Sequence, residues 1–405
     1  MFDLAQYIHK FTILRRDPAK GWPASTRGKS PYKPLLLLAA LDQFDQGQLT
    51  HNLIELTADL GNLFELYCAT VLLPGMGCNI AMPFFHMQGE GFWQLVPLPG
   101  KEANVASGWR LITESQLLNN VAGARLDDEL FTLLAVKENR DVLRAALIDA
   151  HFVEATQPLL WERVATNQAA FLYSSELLEQ ARKKLKELRP SLEDDGFARE
   201  VRDQGFRRAV VVAYNHRCAC CGLRIVTPGG HTAVEAAHII PWSESRNDQP
   251  TNGMALCRLC HWSFDEGLMS VATDYRVILS PQLAAHGNMP GLLSMLDARP
   301  IFLPLETTLH PDPANLDWRN KKIFRKVQRF QQFLNSFSFS VNDSPSDIFS
   351  VFAVNWMLEL CLLMRPRSIA RPSQVGFWRD HSSPLHGLSR ACQSLGCVID
   401  SIYRE

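Results

Sequence analysis

The chain has 405 residues, 46% hydrophobic and 20% charged, with 41 basic against 42 acidic side chains and a formal net charge of −1. That length gives two to three domains, and the composition excludes a disordered chain, a collagen-like fibre and a small disulfide scaffold. Balanced charge advertises no polyanionic partner for the molecule as a whole, so any electrostatic footprint has to be local. The opening residues, MFDLAQYIHKFTILRR, lack the apolar run and small-residue cleavage site of a secretory signal. An apolar stretch at 348–364 carries Asn355 and Glu359 and is shorter than the roughly 20 residues of a membrane helix. We read it as a core or partner-facing helix and expect no membrane association.

Residues 1–155 are expected to form a mixed α/β unit. Pro34 followed by LLLLAALDQFDQG suits a buried helix that opens on proline and ends near Gly47. Further helical patterns cover 53–67, 126–134 and 141–152, and 92–96 reads as a strand after the Gly89–Gly91 turn. In 174–190, SSELLEQARKKLKELRP has serine at the start, apolar i, i+3/i+4 spacing and proline at the stop, the signature of a connecting helix. The linker is placed at 156–196, with the boundary at 190–196. Residues 197–331 make a second domain: a helix from Phe197, a strand at 233–240, a polar loop at 242–253, a helix at 254–264 and a hairpin at 269–280. Residues 332–405 form a C-terminal extension with no readable role. The fold class expected is α+β.

Ten cysteines are unevenly placed. Cys68 and Cys78 look isolated, and Cys361, Cys392 and Cys397 sit in the tail. The others form two CxxC pairs, Cys218/Cys221 and Cys257/Cys260, separated by thirty-five residues, with Cys220 as an extra thiol. Two close pairs in a long chain point to a metal and a reducing compartment, the cytoplasm, rather than to a disulfide framework. Four thiolates suit tetrahedral Zn²⁺ and leave no open position, so the expected zinc is structural. Between and just after the pairs lie His238 in VEAAHIIP, Asn252 in QPTNGMALC and His261 in CRLCHWSFDEG. A histidine base beside a divalent cation is a set of parts suited to phosphodiester hydrolysis.

With these residues, 206–270 resembles the HNH endonuclease family, the ββα-metal nucleases, in the branch with an EAAHI strand and an H-x-x-FD-x-G ending. The resemblance implies that His238 is the general base, that Asn252 orients the base-bearing loop or touches the metal, and that His261 binds a catalytic Mg²⁺ or Mn²⁺. Many members carry an aspartate or histidine ligand just before the base, where this chain has Ala237. Glu235 is the suggested substitute ligand, and Asp265 is a candidate partner for a ligand or a helix-end cap.

In front, 10–33 holds seven basic residues and one acidic residue in a largely loop-like stretch, a footprint suited to phosphate contacts. The segments SPYKPLLLLAALDQF and AMPFFHMQGEGFWQL resemble the sulfur-recognising domain of type IV, modification-dependent HNH restriction enzymes that bind phosphorothioate DNA. The corresponding motifs are Tyr32-Lys33-Pro34 and Met82-Pro83-Phe84-Phe85, where the family more often has histidine and tyrosine in place of Tyr32 and Met82. A sulfur reader needs an apolar dimple for a weakly hydrated atom and cations for its charge. Pro83 and Phe84 are candidates for the dimple, with Arg27, Lys29, Tyr32 and Lys33 beside it; Phe85 and Trp93 read as core. The expected partner is double-stranded, phosphorothioate-modified DNA, and the chain is expected to act as a homodimer, because one active site per chain has to cut two strands. The alternatives are a nuclease that reads a modified base and a non-catalytic zinc module that binds DNA.

Overall fold

The computed structural model describes residues 3–19, 21–107, 113–183, 196–227, 231–284 and 288–325. The stretch 348–364, the three tail cysteines, nearly all of the 190–196 boundary and the extension 332–405 lie outside them. Among the described residues there are thirteen α-helices and three two-stranded antiparallel sheets. None of those helices is long and apolar enough to cross a membrane.

Helix α1 (Leu4–Thr12) begins where the Asp3 carboxylate accepts from the Gln6 amide, and it buries Tyr7 and Phe11. Helix α2 (Tyr32–Asp45) carries Pro34 in its first turn and buries everything from Pro34 to Gln43, which makes it the central rod of the front core. Helix α3 (Ala58–Val71) starts five residues later than the sequence pattern suggests, because Ile54 is drawn into a β-bridge with Ala124 and Thr57 caps the helix. Helix α4 (Ala81–His86) leads to strand β1 (Trp93–Pro97), which pairs with β2 (Val121–Leu126) across α5 (Glu102–Ser107) and α6 (Glu114–Asn120). Part of the helix expected over 126–134 thus belongs to β2, and α7 (Asp128–Leu134) follows it. Cys68 and Cys78, read as isolated, are joined by a disulfide, their Cα atoms 6.3 Å apart, which ties α3 to the approach of α4.

After α8 (Lys137–His151), helix α9 (Gln157–Arg182) runs for 26 residues with Pro158 in its first turn. Ser174, read as a helix start, is buried in its interior. The α9 interior is fastened to the front core by a buried polar knot. Arg144 on α8 pairs with Asp42 at 3.1 Å and Asp45 at 2.6 Å, while Tyr67 and Asn167 donate to the second oxygen of Asp42 at 2.7 and 2.9 Å. Burial pushes the Asp42 carboxyl up to about 6 even with Arg144 opposing it.

The second core is built on α10 (Gly196–Ala213), which packs along α9. Close approach depends on Gly205: a Cβ there would lie 2.7 Å from Tyr173 Cδ1 and 2.9 Å from the Ala170 carbonyl. Strand β3 (Val234–His238) pairs with β4 (Gly253–Cys257) so that Val234 faces Cys257 and His238 faces Gly253. Between them lies α11 (Trp242–Ser245). The helix expected over 254–264 divides into β4 and α12 (Arg258–Asp265). Every residue of β4 is buried, so the strand shows no alternation, and a continuous apolar run does not distinguish a buried strand from a buried helix. Hairpin β5 (Met269–Val271) and β6 (Val277–Leu279) and helix α13 (Pro313–Lys322) complete the unit. Across the two cores Arg208 makes a two-pronged bond to Asp59 (2.8 and 2.9 Å), and His231 meets Glu65 at 2.7 Å.

Candidate nuclease and zinc site

The ligand atoms of Cys218, Cys221, Cys257 and Cys260 all lie within 4.8 Å of one another. Tetrahedral Zn–S bonds of about 2.3 Å put sulfurs about 3.8 Å apart, and Cys221 and Cys257 stand at 3.6 Å. The donor set therefore fits zinc and leaves no open position. The first pair sits on a turn closed by the Gly222 amide donating to Cys218 O, with Gly222 at φ 77°. The Ala219 amide donates to Ala255 O and binds this turn to β4. A side chain at 222 would meet the Phe302 ring at 2.5 Å, so glycine is required for space as well as for φ. Cys220 stays outside the four and is buried, which pushes its thiol well up and keeps it protonated.

His238 ends β3 with its imidazole partly exposed. The Phe206 ring stacks beneath it, centroids 3.8 Å apart and planes 10° from parallel. Gly253 permits this: a Cβ there would lie 2.5 Å from Val210 and 3.0 Å from Phe206. Nε2 of His238 lies 2.8 Å from Asp248 Oδ1, and the second oxygen of Asp248 accepts from the Tyr173 hydroxyl at 3.1 Å. Burial and the Asp248 charge hold the Tyr173 phenol far above its usual range, so it remains a donor. Arg202 approaches Asp248 at 3.8 Å and lies over the Trp242 ring, as does Arg246, giving the rim of the site two guanidinium groups.

Asn252 is fully buried. Its amide nitrogen donates to Ile240 O (3.0 Å) and Asn247 O (2.9 Å), and its oxygen accepts from the Ile240 amide at 3.0 Å. These bonds close the 239–252 loop that follows His238. His261 lies between two carboxylates, Nδ1 at 3.3 Å from Glu235 and Nε2 at 3.3 Å from Asp265. Neighbouring ligands of an octahedral cation with bonds of about 2.1–2.3 Å stand about 3.0–3.3 Å apart, so either carboxylate can share a divalent ion with His261. Ala237, next to His238 on β3, is buried.

Sequence reasoning missed three contributors: Asp248, Tyr173 and Arg319. Arg319 on α13 is buried, lies over the Phe264 ring at 3.4 Å, and donates to the carbonyls of Ile239 (2.9 Å) and Phe264. It pins the end of β3 to the end of α12, and burial lowers its guanidinium to about 10.

The front candidates fall into two groups. Arg27 and Lys29 are exposed, Arg27 in the left-handed region at φ 56° and donating to Asp149 O at 3.0 Å. Lys33 is mostly buried and paired with Glu90, and Tyr32 donates to Gly77 O beneath Trp22. Pro83 and Phe84 are buried; Phe84 is 1% exposed and meets Trp93 edge-on at 5.2 Å. Phe84 is thus placed in the core in this conformation, as are Phe85 and Trp93. His86, beside them, is exposed overall, while partial desolvation of its ring and then the Lys33 charge lower its titration.

Residues 218–272 match the family model of the HNH endonucleases. Residues 18–169 match the model of the ScoMcrA-like DNA sulfur-binding domain. The chain joins an HNH endonuclease domain to a DNA sulfur-binding domain. A solved structure titled modification dependent TagI restriction endonuclease is 22% identical, with a TM-score of 0.22, over 29% of this chain and 37% of that one. The chain therefore matches little more than a third of that protein's length. No curated protein matches.

Proposed function

We propose that the protein is a modification-dependent DNA endonuclease of the type IV restriction class, which recognises phosphorothioate DNA through its front domain and hydrolyses phosphodiesters at the HNH site. The observation that carries this reading is the pairing of the two domains in one chain with a base site in which His238 is stacked, hydrogen-bonded and open on its remaining nitrogen. His238 takes the proton of the attacking water. Asn252 holds the loop behind it. His261, with Asp265 or Glu235, holds Mg²⁺ or Mn²⁺, which when bound stabilises the charge developing on the leaving oxygen. Zn²⁺ on the four cysteines fixes the second half of the fold. Arg27 and Lys29 contact phosphates, Tyr32 and Lys33 stand beside the mark, and the buried Pro83 and Phe84 back that surface from the core. Two chains act together to cut both strands. The protein works in the cytoplasm, where a reducing milieu would hold Cys68 and Cys78 as thiols.

The test is cleavage of matched duplexes, with and without one phosphorothioate linkage of defined stereochemistry, in Mg²⁺ or Mn²⁺, with His238→Ala as control. Cutting confined to the sulfur-bearing duplex and lost in the variant supports both halves of the reading. Equal cutting of both duplexes removes the sulfur specificity, and binding without cutting removes the nuclease.

A further inference from the structure

We propose that Asp248, braced by Tyr173, is a positioning residue that fixes the tautomer and ring orientation of His238. The proposal rests on the nuclease reading and goes beyond it, because neither residue belongs to the histidine-asparagine-histidine set.

Two contacts leave His238 one orientation. Phe206 stacks flat beneath the ring and removes rotation out of plane. Asp248 Oδ1, 2.8 Å from Nε2, holds the proton on that nitrogen. Nδ1 makes no hydrogen bond among the described residues, so its lone pair is the one available to accept a proton from water. A carboxylate behind an imidazole also stabilises the imidazolium formed when that proton arrives. Asp248 is itself buried and would be a costly charge without partners; Tyr173 donates to its outer oxygen at 3.1 Å, and Arg202 stands 3.8 Å away. The brace comes from outside the HNH motif, since Tyr173 lies on α9, 75 residues before Asp248, and reaches it past Gly205, where no side chain could stand.

The proton balance is simple. Water gives one proton to His238 Nδ1 as its oxygen bonds to phosphorus; the bond from phosphorus to the leaving oxygen breaks, that oxygen takes a proton from solvent, and the Nε2 proton stays on nitrogen facing Asp248. An amide at 248 keeps the shape of the carboxylate but can present a donor to Nε2, which would favour the Nδ1–H tautomer and block the basic nitrogen.

The experiment uses the full chain with its zinc, in wild-type, Asp248→Asn and Tyr173→Phe forms. Two quantities are read: the ¹⁵N shifts of the His238 ring nitrogens at pH 8, and single-turnover cleavage against DNA affinity. Wild type is expected to show the Nε2–H tautomer. Asp248→Asn is expected to move the ring toward Nδ1–H and to lower the cleavage rate about 10²–10⁴-fold with DNA affinity unchanged. Tyr173→Phe keeps the packing and is expected to lose about tenfold, since one of the bonds to Asp248 is removed. An unchanged tautomer and unchanged rate in Asp248→Asn would overturn the proposal. So would a loss of rate that tracks loss of folding, read by circular dichroism, with the tautomer unmoved. A wild type that never cleaves, yet whose tautomer switches in Asp248→Asn, would support the positioning and sink the nuclease reading, so the two failures are separable.

Discussion

His151 offers a direct test of the electrostatics behind the candidate DNA face. Its ring is buried at the end of α8 with Nε2 2.7 Å from Phe11 O, beneath Arg16, Arg27 and Lys29. Burial, with the three cations adding to it, lowers its titration to about 4 against an unperturbed value near 6.5. The unfolded chain therefore binds a proton below pH 6.5 that the folded chain refuses until about pH 4. Stability is present above 6.5 and lost as pH falls through that window. Linkage gives a loss of about 2 kcal/mol at pH 5 and about 3 kcal/mol at pH 4.

Asp42 acts with the opposite sign. Its folded titration is raised to about 6, so its contribution is full at low pH and is lost as pH rises through that value. A single stability curve would mix the two, and the difference between wild type and His151→Gln isolates the histidine. Glutamine keeps a donor for Phe11 O and does not titrate. Urea unfolding of both proteins at pH 8, 6.5 and 5 is expected to show wild type losing about 2 kcal/mol more than the variant between pH 8 and pH 5. A gap between the two that stays constant, or that moves the other way, would refute the reasoning.

Gly253→Ala should force Phe206 or Val210 aside and cost about 1–3 kcal/mol, with cleavage falling more than stability because the His238 stack is disturbed; thermal unfolding beside a cleavage assay checks both. Cys257→Ser removes one of four thiolates, and elemental analysis should find bound zinc falling from one per chain toward none, with cooperative unfolding of the HNH half lost. Arg27→Ala and Lys29→Ala should each weaken DNA binding and reduce the salt slope by about one, read from binding at several salt concentrations. Lys33→Met, by contrast, removes the countercharge of the mostly buried Glu90 and leaves it only the Arg15 amide, so it should lower the melting temperature before it alters the salt slope.

The parts of the site legible in the sequence are those written in short spacings. The two CxxC pairs and the histidine-asparagine-histidine set lie within 44 residues, and a turn, a strand end and a helix start are enough to bring them together. What stayed hidden depends on distant segments. Asp248 sits in RNDQPTN, where an aspartate reads as a turn residue until α9 delivers Tyr173 to it. Arg319 acts across 80 residues, on the carbonyl of Ile239, and no local pattern announces a backbone target. Phe84 misled because proline and aromatics beside glycine suit both a surface dimple and a core corner, and only packing against Trp93 distinguishes them. Ser174 misled in the same way, since a serine opening an apolar periodicity reads as a cap although α9 is already four turns long by then.

Helix α9 is where the two domains become one unit. Asn167, on its front-facing stretch, bonds the buried Asp42 of α2, the helix whose first turn carries Tyr32 and Lys33. Six residues on, about 9 Å along the axis, Tyr173 bonds the carboxylate that holds His238. Between them Ala170 abuts Gly205 of α10, so the rod cannot slide without opening that contact. A segment expected to be a linker is therefore, over 157–182, part of the support of both cores. Hydrogen bonds at fixed positions on one continuous helix constrain both ends at once, and a shift that loosens the Asp42 knot would displace the Tyr173 hydroxyl from Asp248 by a comparable distance. Bonds of about 3 Å weaken steeply with such displacements. The placement of His238 thus depends on residues of the front core that lie outside the HNH motif.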